Sequence, residues 1–244
     1  MIRAIVTGHS RGLGEGIAAA LLEQGAEVLG ISRASSAGLR ARFPALREIA
    51  LDLAGSSALA AWLDAGELPA FLAGAQCVLL VNNAGIVQPV APAGRQQAAL
   101  LERAMALNVT APLLLSNAFI AASAAVPDRR IAHVSSGAGR NAYAGWSAYC
   151  AGKAALDMHA RAVQADAIPG LRVASIAPGV IDTAMQAELR GASEADFPQL
   201  ARFLAMKEEG ALSDARETGR RFVHYLLSAQ FGVEVLADLR HRRD

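Results

Sequence analysis

Apolar residues along the chain form short continuous runs and longer stretches in which apolar positions recur at helical spacing. Short runs bounded by glycine and polar residues are typical of strands that are buried on both faces of a sheet. They predict seven strands, at residues 2–6, 27–31, 46–51, 77–81, 130–135, 171–176 and 231–236. The longer stretches predict helices at or within residues 12–24, 56–63, 96–125, 147–166 and 214–227.

The predicted strands and helices alternate, an order that is typical of a parallel sheet with helices on both faces. We therefore expect an α/β fold of the doubly wound Rossmann type, with seven parallel strands in a single domain spanning residues 1–244. Residues 183–207 interrupt the alternation, because they mix glycine, proline and charges with an amphipathic pattern. A segment of this kind after the carboxyl end of a strand is a candidate substrate lid.

Composition and charge narrow the classes of function. Of the 244 residues 53% are hydrophobic, and the formal net charge of +1 gives no field that would attract nucleic acid or an anionic membrane. Cys77 and Cys150 are too few for a disulfide framework or a zinc cluster, and the histidines lack metal-ligand spacing and acidic partners. No secretory signal begins the chain, and charges and glycines interrupt the apolar stretches before they reach transmembrane length. We expect a cytoplasmic protein that holds no metal.

A glycine-rich segment follows the first predicted strand and leads into a helix. Glycine permits a tight turn and lets backbone N–H groups approach a pyrophosphate at the positive end of a helix. The segment lacks the Lys-Ser/Thr ending of a triphosphate-binding loop, so it favours a dinucleotide, the alternative being a turn that holds no ligand. The contacts expected here are Gly8, Ser10, Arg11, Gly12, Leu13 and Gly14.

The second predicted strand leads into Ser32 and Arg33, where a dinucleotide would place its adenosine ribose. A carboxylate there would bind a free 2′-hydroxyl, whereas cations and hydroxyls accommodate a 2′-phosphate. No acidic residue ends this strand, and Arg11 adds a second guanidinium. The pattern therefore favours NADP(H) as the cofactor. The alternative is that both are surface arginines without a phosphate partner. Asp52 and Leu53 follow the third strand, and Asp52 is expected either to contact the adenine edge or only to end the strand.

Tyr149 and Lys153 lie four residues apart in a predicted helix, so their side chains share one face. An ammonium group favours phenolate over phenol, and we expect it to lower the pKa of Tyr149 towards the working pH. Tyr149 would then exchange a proton with a substrate in either direction. Ser136 follows a predicted strand, thirteen positions before Tyr149.

Six motifs occur in the order seen in short-chain dehydrogenases/reductases, and the chain resembles this family over nearly its whole length. They are Thr7-Gly8-x-x-x-Gly12-x-Gly14, Asn82-Asn83-Ala84-Gly85, Asn108, Ser136, Tyr149-x-x-x-Lys153 and Pro178-Gly179-x-x-x-Thr183. Residues 145–153 and 182–186 resemble the branch of the family that contains sepiapterin reductases and benzil reductases.

The resemblance implies an NADPH-dependent carbonyl reductase in which Ser136 polarises the substrate carbonyl and Tyr149 delivers the proton. It assigns to Lys153 contacts with the nicotinamide ribose and with Tyr149, and to Asn108 a water that leads from Lys153 towards solvent. It also implies further cofactor contacts at Asn83, Ala84, Gly85, Pro178, Gly179, Val180, Ile181 and Thr183.

The segment after Ser136 predicts the shape of the substrate. Small residues leave space there, while Tyr143 and Trp146 offer flat apolar walls and Met185 lies in the candidate lid. This pocket favours a ketone or a vicinal dicarbonyl such as benzil. The alternative is a pterin, whose amino-substituted edge Asp238 would bind. An NADP-dependent secondary-alcohol dehydrogenase and a non-enzymatic NADP(H)-sensing module are the other candidates.

The resemblance also bears on assembly. Relatives pair through two long helices, which here lie within residues 104–125 and 151–165 and carry small residues that allow close approach. A homodimer is therefore expected, with a tetramer as the alternative. The chain ends in a charged segment, residues 240–244, which is expected to be a solvated tail.

Overall fold

The computed structural model describes residues 1–44 and 46–242. Seven strands form one parallel sheet in the order β3-β2-β1-β4-β5-β6-β7. They are β1 (Ile2–Thr7), β2 (Glu27–Ser32), β3 (Arg47–Ala50), β4 (Cys77–Asn82), β5 (Asp128–Val134), β6 (Leu171–Ala177) and β7 (Leu236–Asp238). This sheet confirms the doubly wound Rossmann-type fold in a single domain.

Helices occupy both faces of the sheet. They are α1 (Gly12–Glu23), α2 (Ala37–Arg42), α3 (Ser56–Asp64), α4 (Glu67–Leu72), α5 (Ala98–Met105), α6 (Ala111–Ala122), α7 (Ser147–Ala165), α8 (Ala184–Arg190), α9 (Leu200–Glu208) and α10 (Ala215–Leu227). A π-helical turn, Ala106–Thr110, joins α5 to α6. The helices α2, α4, α8 and α9 were not predicted. Three of them, α2, α4 and α8, have only six or seven residues, too few for a periodic apolar pattern to be recognised. The fourth, α9, lies within residues 183–207, where glycine, proline and charges interrupt the pattern.

Two separate apolar layers cover the sheet. On one face α1 and α10 bury Ile17 and Phe222. On the other face α3, α4 and α6 bury Leu59, Phe71 and Phe119. The central strands are therefore apolar on both sides, which explains why they stand out as continuous apolar runs in the sequence.

The strand order reverses between β1 and β4. From β1 the sheet continues through β2 to β3, and from β4 it continues through β5 and β6 to β7. The loops that follow β1 and β4 therefore lead away from each other and leave a crevice at the carboxyl ends of the strands. Ligand sites of doubly wound folds lie in this crevice.

The last strand differs from its prediction. Residues 231–236 were expected to pair, but β7 begins only at Leu236 and lies beside residues 175–177 of β6. Phe231 instead lies in the turn after α10, fully buried with its ring 5.6 Å from that of Tyr225. A turn that buries its apolar side chains produces the same sequence pattern as a short strand.

The charged segment at the end of the chain is more ordered than a solvated tail. Arg240 forms an ion pair with Asp238 at 2.6 Å, and Arg242 forms one with Glu234 at 2.7 Å. The expectation of a solvated tail is therefore wrong for residues 240–242. Residues 243 and 244 lie outside the described residues.

One helical stretch is more apolar than expected. Ala98–Ala122, which spans α5, the π-helical turn and α6, has 25 residues and a mean hydropathy of 1.5 in its most apolar window. By length and composition alone it is able to cross a membrane, so the expectation that charges interrupt every such stretch was wrong. Core helices pass the same test, and here 39% of that window is buried inside the fold.

The contact between α1 and α10 is formed by glycines and yields a first prediction. A Cβ on Gly219 would lie 2.4 Å from the carbonyl carbon of Gly16, so the two helix backbones would have to separate. We expect Gly219→Ala to lower the free energy of unfolding by about 1–3 kcal/mol, measured by urea denaturation. Gly38→Ala is the matched control, because its Cβ would meet only Glu15 at 3.8 Å. Equal losses in the two variants would contradict this account of the helix contact.

Candidate active site

A cleft of about 1010 Å³ opens at the carboxyl ends of the strands. It is lined by the loops after β1 to β6 and by parts of α8 and α9, and its size suits a dinucleotide together with a small substrate. Apart from Asn108 and Asp238, every sequence-predicted contact residue lines it. These residues are Gly8, Ser10, Arg11, Gly12, Leu13, Gly14, Ser32, Arg33, Asp52, Leu53, Asn83, Ala84, Gly85, Ser136, Tyr143, Trp146, Tyr149, Lys153, Pro178, Gly179, Val180, Ile181, Thr183 and Met185.

The glycine loop after β1 is held closely against the turn after β4. A Cβ on Gly14 would lie 2.2 Å from the carbonyl oxygen of Gly8 and 2.4 Å from Asn83 Nδ2, so only glycine fits there. Asn83 Nδ2 donates to the carbonyl oxygens of Thr7 and Gly8 at 2.9 and 3.3 Å. The first N–H groups of α1 receive no side-chain cap from Arg11, the residue at its N-terminus. They are therefore available to an anion such as a pyrophosphate.

Two guanidinium groups lie at the end of the cleft nearest β2. Arg11 precedes α1 directly, and Arg33 directly follows β2. Both side chains are exposed, and neither forms a hydrogen bond or salt bridge with any residue in 1–44 or 46–242. The two cations are therefore free to bind a phosphate group.

Asp52 is held by protein groups at the same end of the cleft. Its carboxylate accepts from Arg103 Nη2 at 2.9 Å and from the Ala54 N–H at 3.1 Å. Burial raises the pKa of Asp52, but these hydrogen bonds outweigh burial, so the pKa lies below its ordinary value. Asp52 thus anchors the turn after β3 to α5 and also lines the cleft, so its contact with the adenine edge stays a prediction.

His9 in the glycine loop has an acidic partner that the sequence did not predict. Its buried ring places Nε2 2.7 Å from Glu48 Oε1 of β3 and lies against Gly30 of β2, where no larger residue would fit. The same carboxylate oxygen accepts from the Ser36 N–H at 2.8 Å. The expectation of histidines without acidic partners is therefore wrong for His9. This pair connects the glycine loop to the segment that follows Arg33.

Ser136, Tyr149 and Lys153 meet on one wall of the cleft. Tyr149 and Lys153 lie one turn apart on α7, with Lys153 Nζ 5.6 Å from the centroid of the tyrosine ring. Ser136 is close enough to Tyr149 to lower the pKa of the tyrosine. Lys153 Nζ donates to the carbonyl oxygen of Val134, the last residue of β5, at 2.7 Å. The arrangement presents two hydroxyl groups to the cleft and buries an ammonium behind them.

Asn108 lies behind this wall, in the π-helical turn. Its buried side chain accepts from the Ile86 N–H at 2.9 Å and donates to the Ile86 carbonyl at 2.8 Å. A Cβ on Gly85 would lie 3.1 Å from Asn108 Oδ1 and 3.8 Å from Lys153 Nζ, so the three residues are neighbours. Such π-helical turns occur frequently at functional sites. The water assigned to Asn108 by the resemblance stays a prediction.

Burial sets the protonation states of Tyr149 and Lys153. It raises the pKa of Tyr149 to about 12, although the nearby Ser136 acts in the opposite direction. It lowers the pKa of Lys153 to about 8, although the nearby Asp157 raises it. The expectation of a pKa of Tyr149 lowered towards the working pH is therefore wrong for this structure, because loss of hydration outweighs the effect of Ser136. At neutral pH Tyr149 is a phenol that can donate its proton.

Aromatic rings surround the opposite end of the cleft. The ring centroid of Trp146 lies 5.7 Å from that of Tyr143, 5.1 Å from that of Tyr149 and 4.8 Å from that of Phe197. Phe197 belongs to the segment between α8 and α9, and Met185 of α8 packs against the same cluster. This end of the cleft therefore has flat apolar walls next to two hydroxyl groups.

The short chain dehydrogenase family model matches residues 3–194 of the sequence. The chain belongs to this family. It is 36% identical to a benzil reductase ((S)-benzoin forming) of Bacillus subtilis (strain 168) over 216 residues, which cover 85% of this chain and 86% of that protein. It is 34% identical to a sepiapterin reductase of Meriones unguiculatus over 243 residues, which cover 93% and 92% of the two chains.

Two solved structures share this fold. A short-chain dehydrogenase/reductase from Burkholderia vietnamiensis is 47% identical, with a TM-score of 0.72 over 99% of this chain and 98% of that one. A protein from Beutenbergia cavernae, whose crystal structure holds NADP at low occupancy, is 27% identical, with a TM-score of 0.81 over 97% and 94%. These relatives confirm the family resemblance. The chain is a nucleotide-binding oxidoreductase of the short-chain dehydrogenase family.

The two buried groups of this short-chain dehydrogenase predict how its reductive activity depends on pH. Tyr149 keeps its proton up to a pKa of about 12, whereas Lys153 loses its charge above about 8. We expect kcat/KM for reduction to be flat at neutral pH and to fall as the pH rises through about 8, which initial rates over a pH series measure. Lys153→Arg keeps a cation at high pH and should lose this fall, whatever its absolute rate. A fall that persists unchanged in Lys153→Arg would contradict the assignment to Lys153.

Proposed function

We propose that this protein is an NADPH-dependent carbonyl reductase that transfers hydride to a ketone or a vicinal dicarbonyl such as benzil. The observation that carries the proposal is that Ser136, Tyr149 and Lys153 line one cleft, with Lys153 one turn from Tyr149 on α7. Burial keeps Tyr149 protonated at neutral pH, which is the state in which it acts as the acid of a reduction. The similarity to benzil and sepiapterin reductases supports the same class of reaction.

NADP(H) is the cofactor that we propose. When bound, it supplies the hydride. The uncapped N–H groups of α1 fit a pyrophosphate, and the unpaired Arg11 and Arg33 fit a 2′-phosphate at a strand end without a carboxylate. The further contacts that we propose are Gly8, Ser10, Gly12, Leu13, Gly14, Ser32, Asp52, Leu53, Asn83, Ala84, Gly85, Tyr149, Lys153, Pro178, Gly179, Val180, Ile181 and Thr183.

Each residue of the catalytic wall has a proposed role. The Ser136 hydroxyl donates a hydrogen bond to the substrate carbonyl, which polarises it and places it next to Tyr149. Tyr149 delivers its proton to the oxygen as the alkoxide develops, and the buried ammonium of Lys153 stabilises the phenolate left behind. Asn108 holds the loop after β4 and, through the water that we propose, supports proton supply to Lys153. A binding module without turnover would not need this complete set.

The opposite end of the cleft selects the substrate in this proposal. Tyr143, Trp146 and Met185 provide apolar walls for aromatic or aliphatic groups. Residues 183–207 act as a lid, because α8 and α9 line the cleft and excluding water strengthens the electrostatic interactions inside. We rank a benzil-like diketone above a pterin, since the carboxylate of Asp238 is held by Arg240 at 2.6 Å and is not free for an amino-substituted edge.

We propose that the protein is a homodimer in the cytoplasm, with a tetramer as the alternative assembly. Apolar surface remains uncovered on the helices through which relatives pair, since Met105 of α5 is 38% exposed and Met158 of α7 is 60% exposed.

The near-zero net charge favours a small-molecule carbonyl substrate over nucleic acid or a membrane surface. An NADP-dependent alcohol dehydrogenase would use the same residues in the reverse direction.

The choice of cofactor gives one prediction. Arg33→Asp replaces a phosphate partner with a repelling carboxylate, so we expect the Kd for NADPH to rise about 10- to 100-fold while the Kd for NADH changes little. Isothermal titration calorimetry measures both constants. Arg220→Asp, at an exposed position of α10, is the control for an equal change of charge far from the cleft. Equal weakening of both cofactors by Arg33→Asp would contradict the proposed phosphate contact.

The reaction itself is tested by the rate of NADPH oxidation with benzil, a small aliphatic diketone and sepiapterin at matched concentrations. We expect benzil to be reduced most efficiently, and Tyr149→Phe to lower that rate about 10²- to 10⁴-fold while NADPH binding persists. Retained turnover in Tyr149→Phe would contradict its role as proton donor. If sepiapterin is preferred and only that activity is lost in Asp238→Asn, the pterin alternative is correct. If none of the compounds reacts, the proposed substrate class is wrong.

A further inference from the structure

The segment after β7 places a guanidinium at the substrate end of the cleft. Arg240 lies in the short turn Leu239–His241 and lines the cleft together with Gly179, Tyr143 and Ser136. Its Cγ and Cδ are 3.5 and 3.6 Å from the position that a Cβ on Gly179 would take, so its side chain covers the loop after β6. Arg240 therefore faces the region between that loop and the aromatic walls.

Arg240 lines the same cleft as the catalytic wall. Tyr143 and Ser136 both belong to that lining. The Tyr143 hydroxyl lies 3.9 Å from the position of a Cβ on Gly137, the residue directly after Ser136. Arg240 and the Ser136 loop therefore open onto one space, with Tyr143 next to that loop.

Asp238 fixes the guanidinium and leaves part of it free. Its Oδ1 accepts from Arg240 Nε at 3.0 Å and its Oδ2 accepts from Nη2 at 2.6 Å. A guanidinium carries five N–H donors, and no other residue among those described accepts a hydrogen bond from this one, so three donors remain for a ligand. Arg240 lines the cleft and its side chain is 57% exposed, whereas that of Asp238 is 11% exposed, so the guanidinium is accessible to a ligand there and the carboxylate is largely covered.

The charge of the pair decides which acceptor it suits. The carboxylate of Asp238 cancels the formal charge of Arg240, so the pair offers directed donors without a net positive charge. A neutral carbonyl oxygen gains a hydrogen bond from such a pair, whereas a carboxylate ligand gains little more and is repelled by Asp238. In an open-chain 1,2-dicarbonyl the two oxygens avoid each other, so a second oxygen needs a donor apart from the one that holds the first.

We propose that the Asp238–Arg240 pair binds the second carbonyl oxygen of the substrate, next to the carbonyl held by Ser136 and Tyr149. This inference rests on the proposed carbonyl reductase function and deepens it. The preferred substrates are uncharged 1,2-dicarbonyl compounds. Monoketones lack the second acceptor. The carboxylate of a 2-oxo carboxylate gains little from the neutral pair and is repelled by Asp238.

The first experiment compares benzil with deoxybenzoin, in which a methylene group replaces the second carbonyl. Arg240→Met removes the donors and keeps an unbranched apolar stem. We expect the ratio of kcat/KM for benzil to that for deoxybenzoin to fall about tenfold relative to the wild type, because one hydrogen bond from a charged group is lost. The greater intrinsic reactivity of benzil cancels in this comparison. Arg220→Met, an exposed arginine on α10, is the control and should leave the ratio unchanged.

The second experiment uses Asp238→Asn, which keeps the shape of the side chain and leaves Arg240 with its full charge. We expect kcat/KM for benzoylformate, a 2-oxo carboxylate, to rise about tenfold relative to that for benzil. Circular dichroism and thermal melting show whether each variant is folded. If Asp238→Asn does not fold, the Arg240→Met ratio decides alone.

The outcomes separate this inference from the proposed function. Parallel losses for benzil and deoxybenzoin in Arg240→Met, or no change in their ratio, would overturn the role of the pair while the wild type still reduces benzil. An unchanged benzoylformate to benzil ratio in folded Asp238→Asn would overturn the argument from charge. A wild-type protein that reduces none of these compounds would overturn the proposed function and this inference with it.

Discussion

The hydroxyl of Thr7 joins the two halves of the sheet at the point where the cleft begins. It donates to the Val81 carbonyl at 3.3 Å and accepts from the N–H groups of Asn83 and Ala84 at 2.9 and 3.0 Å. Because the strand order runs in opposite directions from β1 and β4, this contact fixes the glycine loop and the turn after β4 relative to each other. The shape of the cleft depends on this buried hydroxyl together with the Asn83 amide, which donates to the Thr7 and Gly8 carbonyls, since both loops line the cleft.

The chemistry of the opposite wall follows from burial. Strand β5 supplies the Val134 carbonyl that holds Lys153 and leads into Ser136, while α7 places Tyr149 one turn before Lys153. Loss of hydration raises the pKa of the phenol and lowers that of the ammonium, so one remains an acid and the other titrates close to neutral pH. The depth at which α7 is buried therefore sets the protonation states that Tyr149 and Lys153 bring to the proposed reaction.

The sequence predicts the features that depend on local pattern. Central strands such as β1 and β2 were located to within one residue, because a strand covered on both faces is apolar throughout. The residues that line the cleft were predicted largely through the family motifs. The last strand was misplaced because Phe231 packs into the core from a turn, and a buried turn and a short strand have the same apolar pattern.

Sequence reasoning missed interactions between residues that only the folded structure brings together. His9 and Glu48 are 39 positions apart and meet only because β2 and β3 pair in one register. The pair formed by Asp238 and Arg240 depends on a three-residue turn after a strand that was predicted several residues too early. The charged residues at the end of the sequence predicted a solvated tail that included Arg240. Only the course of the chain after β7 brings Arg240 to the cleft.

The central claim is that one cleft holds a phosphorylated dinucleotide at Arg11 and Arg33 and a carbonyl compound at Ser136 and Tyr149. A crystal structure with NADP⁺ and benzil, which do not react with each other, tests it most directly. The account predicts the 2′-phosphate within hydrogen-bond distance of Arg11 or Arg33, and one benzil oxygen within hydrogen-bond distance of both Ser136 Oγ and Tyr149 Oη. A 2′-phosphate that contacts neither arginine, or benzil bound beyond the reach of Tyr149, would contradict it.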